Sequence, residues 1–339
     1  MVASLRKVRE RTDLPASVAR LEVRHGAVVS ILQAERTCAE GTIEPGGVYL
    51  HDPVGFTPKL LVEVPGQIHR ACPASDLRRF AVLSIEEESH RVVVVDHDGN
   101  VLASKQIHAW DCTWFRGHVA LALESGPASQ GAPLSWSGEV EPMFFEGAEI
   151  AQIWSADLEH KHGAFRAELA GHHIDASNDA IAITSAIDFY LWQPGSNAPP
   201  FSLMRSKHKT SCEVAHGVLS RDGTRAAVEN DCGGRHDPQL ILLRTNDLDG
   251  QRVGPRDGTH RSPEELAYSP SGEHLAALFR VPGVPFRDAD SELPPVARVY
   301  RSEDGSVVGE IPNPNARTIA WLDDETLLLG GRTLSAWTW

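Results

Sequence analysis

The chain has 339 residues, 41% hydrophobic and 23% charged, which excludes a disordered polypeptide and provides for a large core. Its net charge of −14 argues against a general nucleic-acid surface, which needs Lys and Arg patches, and against attachment to anionic membranes. No apolar run approaches the roughly 18 residues that span a bilayer, and no apolar signal core follows the basic residues of MVASLRKVRERTDLP.

In chain order, the first element lies around Ser4–Glu10, and the sequence admits either a strand or a helix there. Seven short β-forming runs follow: Ala27–Gln33, Phe80–Glu86, His118–Glu124, Ala180–Ala186, Arg225–Asp231, His274–Arg280 and Glu325–Gly330. Their starts are 53, 38, 62, 45, 49 and 51 residues apart. A sustained period of this length in strands alone predicts a β-propeller.

Each period reads as a strand, a tight turn, the named run, a third strand, a Gly-containing turn and a last strand. The first turn is clearest in Leu219-Ser-Arg-Asp-Gly-Thr224 and Tyr268-Ser-Pro-Ser-Gly-Glu273, where Gly supplies positive φ and Asp or Ser caps its own backbone. Third strands are GVYLH (Gly47–His51), VVVV (Val92–Val95), AQIW (Ala151–Trp154), FYLW (Phe189–Trp192), LILL (Leu240–Leu243), ARVY (Ala297–Tyr300) and LSAW (Leu334–Trp337). Hairpin signals follow several of them at Asp98-Gly99, Pro194-Gly195, Asp249-Gly250 and Asp304-Gly305.

On the SRDG and SPSG turns, and on third strands ending in an aromatic, the sequence resembles the WD40-like β-propeller family over nearly its whole length. The fullest repeat is Gly171-His172 … Asp188 … Trp192. The resemblance implies an all-β fold: one closed propeller over residues 1–339, with seven four-stranded blades. The last repeat reaches Trp339 after its third strand, so the N-terminal segment is the candidate for that blade's outer strand, which would remove an exposed edge.

Insertions between second and third strands occupy residues 34–46, 125–149, 232–238 and 281–295. The family layout puts all such loops on one face, and long loops on a rigid scaffold are where binding concentrates. The longest carries Trp136, Met143, Phe144 and Phe145 among Glu139, Glu141, Glu146 and Glu149, and the Pro-rich 281–295 loop carries Phe286. These five apolar residues are the candidate partner contacts. Burial of the rings against their own blade is the competing reading.

Sixteen histidines include several at the starts of inner strands: His69, His108, His172, His173 and His208. Convergence of imidazoles and thiols at the channel mouth would suit zinc or copper, so these five with Cys212, Cys232 and His236 are the candidate ligands. Four residues along a strand separate Cys212 from His216 by about 13 Å, so the two cannot share one ion there. The competing reading makes the histidines structural, tying strands together, and fits His172. Five cysteines, Cys38, Cys72, Cys112, Cys212 and Cys232, with no export signal, predict reduced thiols in the cytoplasm.

Nucleophile-elbow, phosphate-loop and zinc-protease motifs are missing from the sequence. The expected function is therefore a non-enzymatic scaffold holding a protein or peptide on the insertion-bearing face. The alternative is a metal-binding protein or metal-dependent enzyme at the channel mouth. A small-molecule ligand in the channel is a third reading.

Overall fold

Runs such as Phe80–Leu83 and Val92–Val95 are apolar on both faces, as strands sandwiched between two neighbours must be. They are so placed. The computed structural model describes residues 3–24, 26–33, 46–86, 89–123, 148–167, 171–185, 188–196, 200–206, 214, 216–230, 239–253, 263, 265–279, 296–312 and 314–339. Among them every element is a strand, and the strands form seven antiparallel sheets. The inner strands of blades 1 to 7 are Ser17–Arg24, Gln67–Pro73, Ala109–Phe115, Gly171–Ala176, Gly217–Leu219, Glu265–Tyr268 and Thr318–Trp321.

The core is a ring of seven wedges, one per blade interface. Cys72, Leu83 and Val92 of blade 2 pack on Cys112, Trp114 and Leu121 of blade 3. Val18, Val28 and Leu32 of blade 1 pack on Leu328, Leu334 and Ala336 of blade 7, which closes the circle. Backbone approach is tight enough that side-chain size is fixed in places. A Cβ at Gly171 would come within 2.6 Å of the Ile150 carbonyl oxygen of blade 3.

The N-terminal segment resolves as strand. Arg6–Arg11 pairs antiparallel with Leu334–Thr338 and supplies the outer strand of blade 7. It also does something the sequence did not suggest. Ala3–Ser4 adds in parallel to Val307–Pro312, the outer strand of blade 6, so the segment straddles two blades. Between the two pairings Leu5 enters the core shared by blades 6 and 7, in space that Gly309 leaves open.

The predicted turns hold, with one shift. Gly223 and Gly272 of the SRDG and SPSG turns have φ of +73° and +74°, and Gly99, Gly195 and Gly305 are also positive. At Asp249-Gly250 the left-handed position is instead Leu248 (φ +55°), and Gly250 opens the outer strand. Asp96 Oδ1 accepts from the N–H groups of Asp98 and Asn100, so the Asp-rich stretch there serves its hairpin.

Residues 34–45, 124–147, 231–238 and 280–295 lie outside the described residues, and each falls between the second and third strands of its blade. The third strand of blade 3 begins at Ala148, three residues before the predicted AQIW and inside the 125–149 insertion. In blade 5 the strand expected from Cys212 begins at Gly217 among the described residues, and the His216 carbonyl ahead of it still accepts from the Glu229 N–H of the second strand.

Leu5→Ala removes the one buried apolar anchor between the two N-terminal pairings. It should cost about 2–5 kcal/mol in urea unfolding. A change within about 0.5 kcal/mol, the range of ordinary surface substitutions, would mean that the segment does not close the ring.

Candidate functional site

Inner strands expose alternate side chains to the axis, and here those positions carry charge. Blade 1 contributes Arg20, Glu22 and Arg24 at a spacing of two, blade 2 Arg70, blade 3 Asp111, and blade 4 His173 and Asp175. His216 stands just ahead of the blade 5 inner strand.

Except for Arg20, these side chains form one connected network. Arg24 Nε lies 2.8 Å from Glu22, and its Nη2 reaches 2.7 Å from Asp175. Since Arg24 belongs to blade 1 and Asp175 to blade 4, that pair crosses the axis. Arg70 bridges Glu22 (3.1 Å) and Asp111 (3.5 Å). His173 Nδ1 lies 2.5 Å from Asp111 Oδ2, and His173 Nε2 lies 3.0 Å from His216 Nε2. Arg20 meets Glu265 of blade 6 at 3.6 Å.

The carboxylates also hold backbone. Ile174 N–H donates to Asp111 Oδ2 (3.2 Å) and Leu219 N–H to Asp175 Oδ2 (2.8 Å). Each aspartate thus ties its own blade to the next, using an inner-strand edge that no further strand covers. Between blades 7 and 1 the same link is made by Leu21 N–H and the Thr318 hydroxyl (3.2 Å).

Burial alone would raise the Asp111 pKa, but the charges of Arg70 and His173 outweigh it and hold the carboxyl well below the usual range. Burial likewise opposes the Arg24 charge, and Glu22 and Asp175 more than restore it. His216 goes the other way. Burial, then the neighbouring His173, Arg20 and Arg70 charges, push it well below 6.5, so its ring is neutral at pH 7. Burial and the Arg20 charge lower His69 as well.

A cavity of about 460 Å³ opens beside this network. Its rim is made from first-to-second-strand turns, including Gly117, Asn178, Arg221, Pro270 and Asp324. Second-to-third-strand connections leave from the opposite end of each blade, so the cavity lies on the turn face and the insertions on the other. Toward the axis it reaches Arg24, Asp175, His216 and Glu265.

Of the predicted ligands, His208, Cys212, Cys232 and His236 lie outside the described residues, as do all five predicted partner contacts, Trp136, Met143, Phe144, Phe145 and Phe286. His69 and exposed His108 belong to a ring cluster on the insertion-face side: His69 stands 6.4 Å from Trp110, and His108 stands 5.3 Å from His90. His173 sits in the axial network. His172, at the Gly-His position, is exposed, and Asp188 of the same repeat accepts instead from Ser202 and from the backbone of Phe189 and Met204. Among the described residues no three His, Cys, Asp or Glu side chains are grouped to hold a metal ion. The axial charges form no sequence motif because they come from separate blades. The signal available was Arg20-Leu-Glu22-Val-Arg24, ionisable groups at period two in an inner strand.

The fold is that of a WD40-like β-propeller with seven blades, as the turns and third strands implied. Among solved structures the chain is similar to the WD40 β-propeller domain of Doa1, with a TM-score of 0.64, 10% identity, and coverage of 98% of this chain and 97% of that one. Identity that low speaks for the fold alone. No protein-family profile and no curated protein matches the sequence.

Two tests bear on the network. Arg24→Met should cost about 3–5 kcal/mol by leaving Asp175 and Glu22 short of a cation, and adding Asp175→Leu should cost less than the sum of the single changes. Purely additive values would show the cross-axis pair to be uncoupled. His216 stays neutral in the folded chain while its unfolded counterpart protonates below about pH 6.5. Its contribution is therefore complete above that value and lost as pH falls through it. His216→Gln should flatten urea-derived stability between about pH 7.5 and 5.5, by at most about 1.4 kcal/mol per pH unit. An unchanged slope would contradict the assignment.

Proposed function

We propose that the protein is a non-enzymatic scaffold that holds a protein or peptide partner on its insertion face, in the cytoplasm. The observation that carries this reading is topological: the four long connections leave second strands and return to third strands, hence share one end of a closed, rigid ring. The axis supports it further. Its charged groups pair with one another, so they serve to fix blades together rather than standing free for chemistry. The −14 charge and the free, buried Cys72 and Cys112 suit a soluble protein in a reducing compartment.

The loop richest in interface-type side chains is 125–149, with Trp136, Met143, Phe144 and Phe145, and Phe286 of the 281–295 loop extends the same face. Replacing residues 126–147 by a short Gly-Ser linker should leave thermal unfolding unchanged and abolish partner capture, read by quantitative mass spectrometry of affinity-purified material. Trp136→Ala and Phe144→Ala should each weaken capture by about tenfold or more, as interface anchors do. Capture that survives the loop replacement would sink the placement.

A further inference from the structure

The turn-face cavity is lined by polar groups that the protein leaves unused, and around them the charges are paired. Arg24 is engaged by Glu22 and Asp175, Arg116 by Asp179 and the Asn178 carbonyl, and Asp324 by the Ser271 N–H. Five carboxylates and four guanidinium groups line the cavity, close to balance. A ligand with net charge would have to break these pairs to gain its own. Without a hydrogen-bond partner among the described residues are Arg70 Nε, a buried donor, and His216 Nδ1 and the Tyr268 hydroxyl, these two on half-buried side chains that line the cavity and able to take either hydrogen-bonding role.

The chemistry of His216 Nδ1 is set two residues away. Asp111 is ionised and accepts from His173 Nδ1–H, so the Nε2–Nε2 contact between the two imidazoles holds a single proton. With that proton on His216, its Nδ1 is a bare acceptor; one further proton on the pair, with His173 as the imidazolium, puts N–H on His216 Nδ1 and makes it a donor. The Tyr268 hydroxyl also donates or accepts by rotation, and burial keeps it protonated. Groups that can take either role match a partner that can do the same. A hydroxyl can; a phosphate only accepts and an ammonium only donates. The volume of about 460 Å³ falls in the range of small-molecule sites.

We infer that the turn-face cavity binds a small uncharged molecule bearing hydroxyl groups, a sugar or polyol, through His216 Nδ1 and the Tyr268 hydroxyl. The cavity opens at the turn face, with Tyr268 at the turn end of its strand and His216, ahead of the blade 5 inner strand, at the deep end.

The full chain, in buffer free of glycerol, is titrated with glucose, trehalose and myo-inositol as uncharged probes and with inorganic phosphate and choline as charged ones. Ligand-detected NMR and calorimetry are the readouts. At least one uncharged probe should bind, and Tyr268→Phe should weaken it by about three- to tenfold, one neutral hydrogen bond, with unfolding temperature unchanged. His216→Phe should act in the same direction. Should that variant not fold, Tyr268→Phe alone decides, since it removes only an oxygen. The inference is overturned if no uncharged probe binds more tightly than about 10 mM, if phosphate or choline binds in preference, or if the affinity ignores these substitutions. Replacement of residues 126–147 leaves this site intact, so its failure and that of the partner reading are separable.

Discussion

Seven inner strands meeting around one axis leave the molecule with a problem of edges. Each presents a row of backbone N–H and C=O groups that no further strand of its sheet covers. Side chains of the neighbouring blades answer it. Asp111 takes the Ile174 N–H, Asp175 takes that of Leu219, and Thr318 takes that of Leu21. Using carboxylates for this task brings negative charge to the axis, and that charge requires Arg24 and Arg70. The low position of Asp111, the neutrality of His216 and the crossing of the axis by Arg24 and Asp175 all descend from that one geometric demand.

The partition of the two faces follows from strand direction. In a four-stranded antiparallel blade, the turn after the inner strand and the connection after the second strand must lie at opposite ends. Here the first set is short and frames a cavity, while the second is lengthened in four blades. One end of the ring thus frames a small recess, and from the other end the four long connections leave their second strands.

The blades were legible because their signals are local. A turn such as Ser220-Arg-Asp-Gly223 needs positive φ within four residues, and a third strand such as Leu240–Leu243 is continuous apolar sequence; both are where the residues placed them. The misses are just as local in origin. Leu248 takes the left-handed position that Gly250 advertised, because the hairpin is two residues out of step with the Asp-Gly pair. The axial network was a different matter. His173 looked like one of several interchangeable histidines, and its identity as the buried partner of Asp111 and His216 depends on residues 62 and 43 positions away. Spacing along one chain says nothing about which side chains from separate blades will meet.

The stitch at Leu5 has a bearing on time as well as on space. Residues 3–11 precede every blade in the chain, yet their partners are Val307–Pro312 and Leu334–Thr338; the contact between Glu10 and Thr333 spans 323 positions. During synthesis this basic segment is made before all seven blades and stays without its docking site until the last of them has been made. Blades 1 to 5 can stack as they appear, but an open arc has two raw ends, each with an apolar face. Loop-closure entropy must be met before the last pairings form, which makes ring closure a late and slow event. The residue that closes the ring is translated before any blade, so the half-made propeller is the form most exposed to aggregation.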